Sequence, residues 1–362
     1  MKILFDYQIF LSQKYGGPSR YFIELNKNMN REGIQSSIFS PFYINNYLKN
    51  ENKNFFKKSF FLNKKFKLNF LFKYLNDILT NNFINNTKID IIHPTYYNLK
   101  KYKEFKIPKI LTVYDLTHEK FPEFYGLPKN NKIKKDALDV ADYYLCPSEC
   151  TKKDLMEIYN IDENKISVIY WAPFSKSKNK IINNYKKDNF LLFVGNRHKY
   201  KNAYKFLEAF CRNKFLLENY KIIFFGGGNF NLYERGLIKK LNLHNKVKLI
   251  IGSDKNLIEL YQKATLMVYP SLYEGLGLPI LEAMTHGCPV ATSYSSGMIE
   301  AGGSAVEFFD PNSTESISNS LLKIINSSEY SNKLIKLGFD HVKNFTWNKC
   351  AKETFNVYQK II

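Results

Sequence analysis

Cysteine is scarce in this chain and carries no pattern. Its five cysteines, Cys146, Cys150, Cys211, Cys288 and Cys350, show no CxxC spacing. That argues against a disulfide framework, and no His/Cys cluster points to zinc. They read as small buried residues in a reducing cytoplasm. Long apolar runs are missing too: no stretch approaches the roughly 18 residues of a membrane-spanning helix. The opening MKILFDYQIF has one lysine, a few apolar residues before Asp6 and no small-residue cleavage site, so a signal peptide is not expected. No Asp-x-Asp metal motif stands at a strand end. No full GxGxxG or P-loop is present, and no internal repeat. Acidic residues are the minority, 33 against 53 Lys and Arg, which leaves a formal charge of +20. That balance favours anionic partners such as phosphorylated ligands, anionic lipid or nucleic acid. An AT-rich genome, with its abundant Lys, Asn, Ile, Phe and Tyr codons, would give the same balance with no partner at all.

What is there is an α/β chain of two-domain length, 362 residues. A hydrophobic fraction of 44% can fill two cores. Short apolar runs recur: KILFDY, IDIIHP, KILTVYD, YYLCPS and KISVIY, then FLLFVG, KIIFFG, VKLIIG, LMVYP and PVATS. Most end in Gly, Pro, Ser or Asp, where a strand turns toward a helix. Helical patterns lie between them, as in SRYFIELNKNM, TKKDLMEIY, NAYKFLEAFCR, NLIELYQKA and PILEAMTHG. Strand alternating with helix predicts parallel sheets covered on both faces, and the pattern runs twice. Between the runs sits APFSKSKNKIINNYKKDN, which is polar and has no apolar period; residues 173–189 read as a linker. Two such domains would face each other across a cleft, with ligands at the carboxyl ends of the strands.

One segment breaks the pattern. NKNFFKKSFFLNKKFKLNFLFKYL, residues 52–75, interleaves Phe and Lys with no acidic residue. It is compatible with an anionic membrane surface. A helix packing its Phe face on the first sheet is the second reading, and nucleic-acid binding, which needs similar residues, is the last.

The densest chemistry lies in YEGLGLPILEAM, Tyr273 to Met284. LMVYP is a strand, SLYEGLGL the turn after it, and Pro279 suits the first turn of a helix that ends near Gly287. A helix start carries unpaired N–H groups and partial positive charge, which suits phosphate. Gly275 and Gly277 let the backbone approach a ligand. A carboxylate there repels phosphate, so Glu274 and Glu282 point to hydroxyl groups on either side of one. A nucleotide-sugar has that form. The plain alternative is a solvated turn glutamate and an early-helix glutamate favoured by the dipole. VGNRHKYKN puts Arg197, Lys199 and Lys201 after another strand, where they could neutralise a departing diphosphate; a solvated basic turn is the alternative. FFGGGN places Gly226 after a further strand, weak by itself, with close approach to a nucleotide as its use. KYGGPSRYFIEL gives Gly16 and Gly17 the same opportunity in the first half.

Taken in order, these stretches resemble family 4 of the retaining glycosyltransferases, which have the GT-B fold. Within that family they are most like the mannosyltransferases of bacterial lipopolysaccharide, O-antigen and capsule synthesis. The resemblance covers nearly the whole chain. It is strongest in PSLYEGLGLPILEAMTHGCPVATS, where Glu274 and Glu282 fit the E-x7-E pattern. It continues in SSGMIEAGGSAVEFFDP, IGSDKNLIELYQKATLMVYPS, KYGGPSRYFIEL, TVYDLTHEKFPEFY and PSECTKKDL. It implies two Rossmann-like, doubly wound domains: an acceptor-binding domain at 1–172 and a nucleotide-sugar domain at 190–344. The last helix, within 345–362, would cross back to the first. It implies that Glu274 contacts the donor hexose, and that the amides of Gly275, Leu276, Gly277 and Leu278 meet sugar and phosphate. Glu282 would hold the ribose, Arg197 and Lys201 the diphosphate, and Gly16 and Gly17 would close on the donor. The family often has His-Asp after its TV strand. Here Tyr114 and Asp115 stand there, so Tyr114, or His118 four residues on, would replace that histidine. Leu276 stands where Phe is frequent.

The expected reaction is retaining transfer of a hexose from a GDP- or UDP-sugar to a hydroxyl of a glycan or lipid-linked saccharide. It belongs to cell-surface polysaccharide synthesis, at the cytoplasmic side of the membrane. No cofactor and no metal are expected. A GT-B epimerase or phosphorylase is the alternative, and a nucleic-acid-binding protein, suggested by charge alone, is the last. Base, sugar, acceptor, linkage and oligomeric state are not written in these motifs.

Overall fold

The computed structural model describes residues 1–51, 59–62, 69–125, 129–174, 187–197 and 199–362. The basic-aromatic segment 52–75 lies mostly outside the described residues, and so do positions 175–186 of the polar linker stretch. Contacts divide the chain into two compact units: Met1–Trp171 with Trp347–Ile362, and Ala172–Thr346.

The first unit holds three small parallel sheets. In one, β1 (Lys2–Phe5) lies between β2 (Gln35–Ile38) and β5 (Ile91–His93). In a second, β6 (Ile110–Thr112), β7 (Tyr143–Cys146) and β8 (Ile166–Val168) follow one another. A parallel bridge between Ile92 and Lys109 joins these two. The third is the pair β3 (Phe42–Tyr43) and β4 (Phe60–Phe61). Helix Gly17–Arg31 turns Tyr21, Phe22, Leu25 and Met29 inward, an i, i+4, i+8 stripe with one flanking position. Tyr21 stacks on Trp171 with ring centres 4.4 Å apart. The chain's last helix, Trp347–Ile361, belongs to this unit. It is anchored by Tyr358, whose hydroxyl sits 2.6 Å from Nδ1 of the buried His93. Nε2 of His93 sits 2.8 Å from the Thr112 hydroxyl. Burial lowers the His93 pKa to about 3, so the ring is neutral, one nitrogen donating and the other accepting.

The second unit is one six-stranded parallel sheet in the order β11-β10-β9-β12-β13-β14. Its strands are β9 (Asp188–Val194), β10 (Lys221–Phe225), β11 (Val247–Ile250), β12 (Ala264–Tyr269), β13 (Val290–Ser293) and β14 (Glu307–Phe309). The interior strands are near-continuous apolar runs, as burial on both faces demands. Ala203, Phe206, Leu207 and Phe210 form the inward stripe of helix Ala203–Cys211 and pack with Phe193, Phe224 and Val268. Each buried phenylalanine contributes about 1.5–3 kcal/mol. Chain order runs outward from β9 on one side and outward from β12 on the other, so the strand order reverses between them. Such a switch point leaves a crevice at the carboxyl edge where ligands bind.

All ten runs read as strands are strands. The observed fold is α/β with parallel sheets in both units. The sequence pattern misses β2, β3, β4 and β14, which are short or polar. No helix among the described residues is long and apolar enough to cross a membrane.

Candidate functional site

The loops after β9 and β12 meet at the switch point of the second unit. They are tied by backbone: Leu272 N–H donates to the Tyr200 carbonyl at 2.7 Å. They are also tied by charge. Lys201 Nζ donates to Glu274 Oε1 at 2.5 Å and lies 3.3 Å from the Tyr269 hydroxyl. Both charged side chains are mostly covered, 15% and 12% exposed. Tyr269 is the last residue of β12 and is buried. Burial, and then the Glu274 carboxylate, hold its phenol well above the ordinary value. A lysine, a glutamate and a protonated tyrosine therefore share one partly dry corner.

The Glu274 loop is held from the far side by the turn after β13. Ser296 Oγ accepts from Glu274 N at 2.9 Å, and Gly297 N donates to the Glu274 carbonyl at 3.2 Å. Ser295 Oγ donates to the Leu272 carbonyl at 2.7 Å. Gly277 adopts φ +97° just before helix Leu278–Thr285, and no side chain caps that helix start. Leu276 is buried, so it packs the loop and only its backbone is left for a ligand. Glu282 sits half-buried in this helix and accepts from the Tyr261 hydroxyl at 3.2 Å. Burial, and then the Glu282 charge, raise the Tyr261 phenol well above its usual value, so that tyrosine stays a donor. The helix closes with Cys288 N donating to the Ala283 carbonyl at 2.9 Å and Gly287 at φ +65°, the left-handed cap that its glycine suggests.

Arg197 has a different place from the one its spacing implies. It is buried, and its guanidinium is taken up by Glu234 and the carbonyls of the loop from Gly226 to Asn229. It is not presented as an open phosphate ligand, because six acceptor atoms already surround it.

The first unit carries the remaining candidates. Gly16 precedes helix Gly17–Arg31, and its carbonyl accepts from Arg20 N at 3.1 Å and Ser19 Oγ at 2.9 Å. Tyr114 is buried, with its hydroxyl donated to the Thr95 carbonyl at 2.5 Å. Its hydroxyl is engaged, and its ring lies among Tyr96, Tyr97 and Trp171. His118 is half-buried, its ring 4.0 Å from that of Tyr125. Its segment is braced by Lys134, which donates to the Asp115 carbonyl at 3.0 Å and to Glu119 at 2.9 Å.

Sequence reasoning missed Tyr269, Tyr261, Ser296, Gly297 and Glu234. Only Tyr269 had a visible cue, the last residue of an apolar run just before the turn. No group of three or more His, Cys, Asp or Glu suited to a metal is found among the described residues.

Sheet order, switch-point loops and the two-unit layout together define an α/β enzyme of the GT-B class. Comparison with known proteins gives the family. The model for Glycosyltransferase Family 4 matches residues 15–172, and that for Glycosyl transferases group 1 matches residues 174–341. The chain belongs to these glycosyltransferases. It is 26% identical over 271 residues to O-antigen chain mannosyltransferase B of Escherichia coli, covering 69% of this chain and 70% of the relative. It is 27% identical over 249 residues to O-antigen chain mannosyltransferase RfbU of Salmonella typhimurium, covering 67% and 69%. The Anabaena protein Alr3699/HepE, solved in complex with UDP and glucose, superposes with a TM-score of 0.77 at 16% identity, covering 99% of this chain and 100% of that one.

Proposed function

We propose that this glycosyltransferase moves a hexose from a GDP- or UDP-sugar to a hydroxyl of a glycan or lipid-linked saccharide, with retention at the anomeric carbon. The observation that carries the reading is the Lys201–Glu274–Tyr269 corner beside the uncapped start of helix Leu278–Thr285. Glu274 would accept from hexose hydroxyls and Glu282 from the ribose. The amides of Gly275 to Leu278 and the charge of Lys201 would take the diphosphate between them. Lys201 is already within reach of one carboxylate, so a donor phosphate would compete for a cation that the fold has placed.

In the reaction the bond from C1 to the phosphate oxygen breaks, and the electron pair leaves with the diphosphate. The new bond forms between C1 and the acceptor oxygen on the same face. The acceptor proton passes to the departing phosphate oxygen, so no protein base is required. Lys201 and the helix start stabilise the charge that develops on the leaving group. His118, Gly16 and Gly17 are, in this reading, the sugar-binding groups of the first unit. In this reading cationic and backbone groups do the work, with no metal step.

The O-antigen relatives make mannose the first sugar to test. Helix Asn69–Asn85 leaves Phe70, Leu71, Tyr74 and Ile78 exposed beside Lys73. That surface suits an anionic interface at the cytoplasmic face of a membrane, where a lipid-linked acceptor would be met.

Glu274→Ala is the test. Two charge-assisted hydrogen bonds at about 1.5–3 kcal/mol each predict a loss of roughly 10²–10⁴ in kcat/KM, with an unchanged circular dichroism spectrum. Normal turnover by the folded variant would refute the assignment.

A further inference from the structure

Arg197 and Lys201, both in the loop after β9, do different things. Lys201 reaches toward β12. Arg197 reaches toward β10, where its Nη1 donates to the Gly226 carbonyl at 2.7 Å. Its Nη2 lies 2.9 Å from the Gly228 carbonyl and 3.2 Å from that of Asn229. Its Nε donates to Glu234 Oε1 at 3.0 Å. The side chains of Arg197 and Glu234 are 3% and 4% exposed. Glu234 Oε2 also accepts from Asn231 N at 2.8 Å, closing a capping box on helix Leu232–Lys240. The Phe230 ring lies 4.9 Å below the guanidinium carbon.

The loop so gripped could not hold itself. Gly226, Gly227 and Gly228 all have φ between +72° and +80°, and a run of glycines has the largest conformational freedom to lose. A Cβ on Gly227 would meet the Gly195 carbonyl oxygen at 2.6 Å and Arg197 Nη1 at 2.8 Å, so only glycine allows this approach. In a trans peptide the N–H points opposite to the carbonyl. With the carbonyls gathered on Arg197, the amides that follow them face the other way. They form a short, glycine-rich row of neutral donors beside the switch point. The helix start that follows is closed by its own capping box, and a buried cation already paired with a carboxylate adds little to a diphosphate, so this row is left for the carbonyl of a base.

We propose that Arg197 and Glu234 are a positioning pair that presets the Gly226–Asn229 loop to receive the nucleoside of the donor, leaving Lys201 as the cation for the diphosphate. This rests on the nucleotide-sugar reading above. The test compares Glu234→Gln and Arg197→Lys with Lys201→Met in the full chain. Binding of UDP, GDP, uridine, guanosine and inorganic pyrophosphate is measured by ligand-observed NMR. Hydrogen exchange of Gly227 to Asn229 is followed without ligand.

The Glu234 and Arg197 variants are expected to weaken the preferred nucleoside diphosphate and its bare nucleoside by the same factor, about tenfold. They leave pyrophosphate unchanged and speed loop exchange. Lys201→Met should weaken the diphosphates and spare the nucleoside. Loss confined to the phosphate-bearing ligands in the Arg197 variant would overturn the proposal, and so would unchanged exchange and binding in Glu234→Gln. If exchange responds but wild-type protein binds neither UDP nor GDP, the donor reading fails, and the loop's nucleoside role falls with it.

Discussion

Gly297→Ala offers a sharp test of how Glu274 is held. A Cβ at this position would lie 2.3 Å from the Gly275 carbonyl oxygen, 2.7 Å from its carbon and 2.8 Å from Leu276 Cα. An ordinary carbon–oxygen approach is about 3.3 Å, so the Gly275 backbone must retreat by roughly 1 Å. Both neighbours are backbone atoms, and no rotamer change can relieve the clash. Overpacking of this kind costs about 1–3 kcal/mol. For a unit of this size that is a fall in Tm of roughly 2–12 °C by scanning calorimetry. The displaced residue adjoins Glu274, and a 1 Å misplacement at a reacting centre can cost about 100-fold in rate. Transfer should therefore fall further than stability accounts for. Gly236→Ala is the control: it lies inside helix Leu232–Lys240 with nothing within 4 Å of a new Cβ, and should stabilise by about 0.5–1 kcal/mol. Wild-type Tm and wild-type transfer in Gly297→Ala would show that this close approach does not fix the loop, and the reasoning would fail.

Other outcomes follow from buried charge. The His93 imidazole, about 3 in the fold against 6.5 ordinarily, stays neutral where the unfolded chain takes a proton. Its contribution is complete above 6.5 and is lost as pH falls from there toward 3, at about 1.4 kcal/mol per pH unit. Chemical denaturation between pH 7 and 4 should show that slope, and His93→Gln should flatten it. Glu119→Gln leaves the Lys134 ammonium, 6% exposed in the native pair, without its carboxylate. The cost should be about 3–5 kcal/mol in urea unfolding, and a loss under 1 kcal/mol would mean the pair is solvated.

Much of this fold was legible because the sheets are parallel and buried. FLLFV and KIIFF cannot sit comfortably anywhere but inside. QSSI and EFF, the strands β2 and β14, lie at sheet edges, where polar residues are tolerated and the pattern is lost. Glu274 and Lys201 could be singled out because glycine, proline and charge crowd one strand-to-helix turn. Arg197 could not be told from Lys201. The two lie four residues apart in one loop, and spacing in a loop does not say which way a side chain turns. Gly297 was equally silent, because its role is a backbone contact with Gly275 made 22 residues away. Glu234 caps its own helix start with one oxygen, and its other oxygen finds Arg197 only in three dimensions. Tyr114 stood where a polar catalytic partner was sought, yet its hydroxyl meets the carbonyl of Thr95.

The most direct measurement is thermal stabilisation of the full chain by a panel of nucleoside diphosphates and nucleotide-sugars, at low salt and in EDTA. A ligand that binds only the folded state at 100 times its Kd adds about 2.7 kcal/mol. The account predicts a selective rise in Tm with one base and one sugar, persisting in EDTA and lost in Lys201→Met. A flat response to every nucleotide from a folded sample would contradict it.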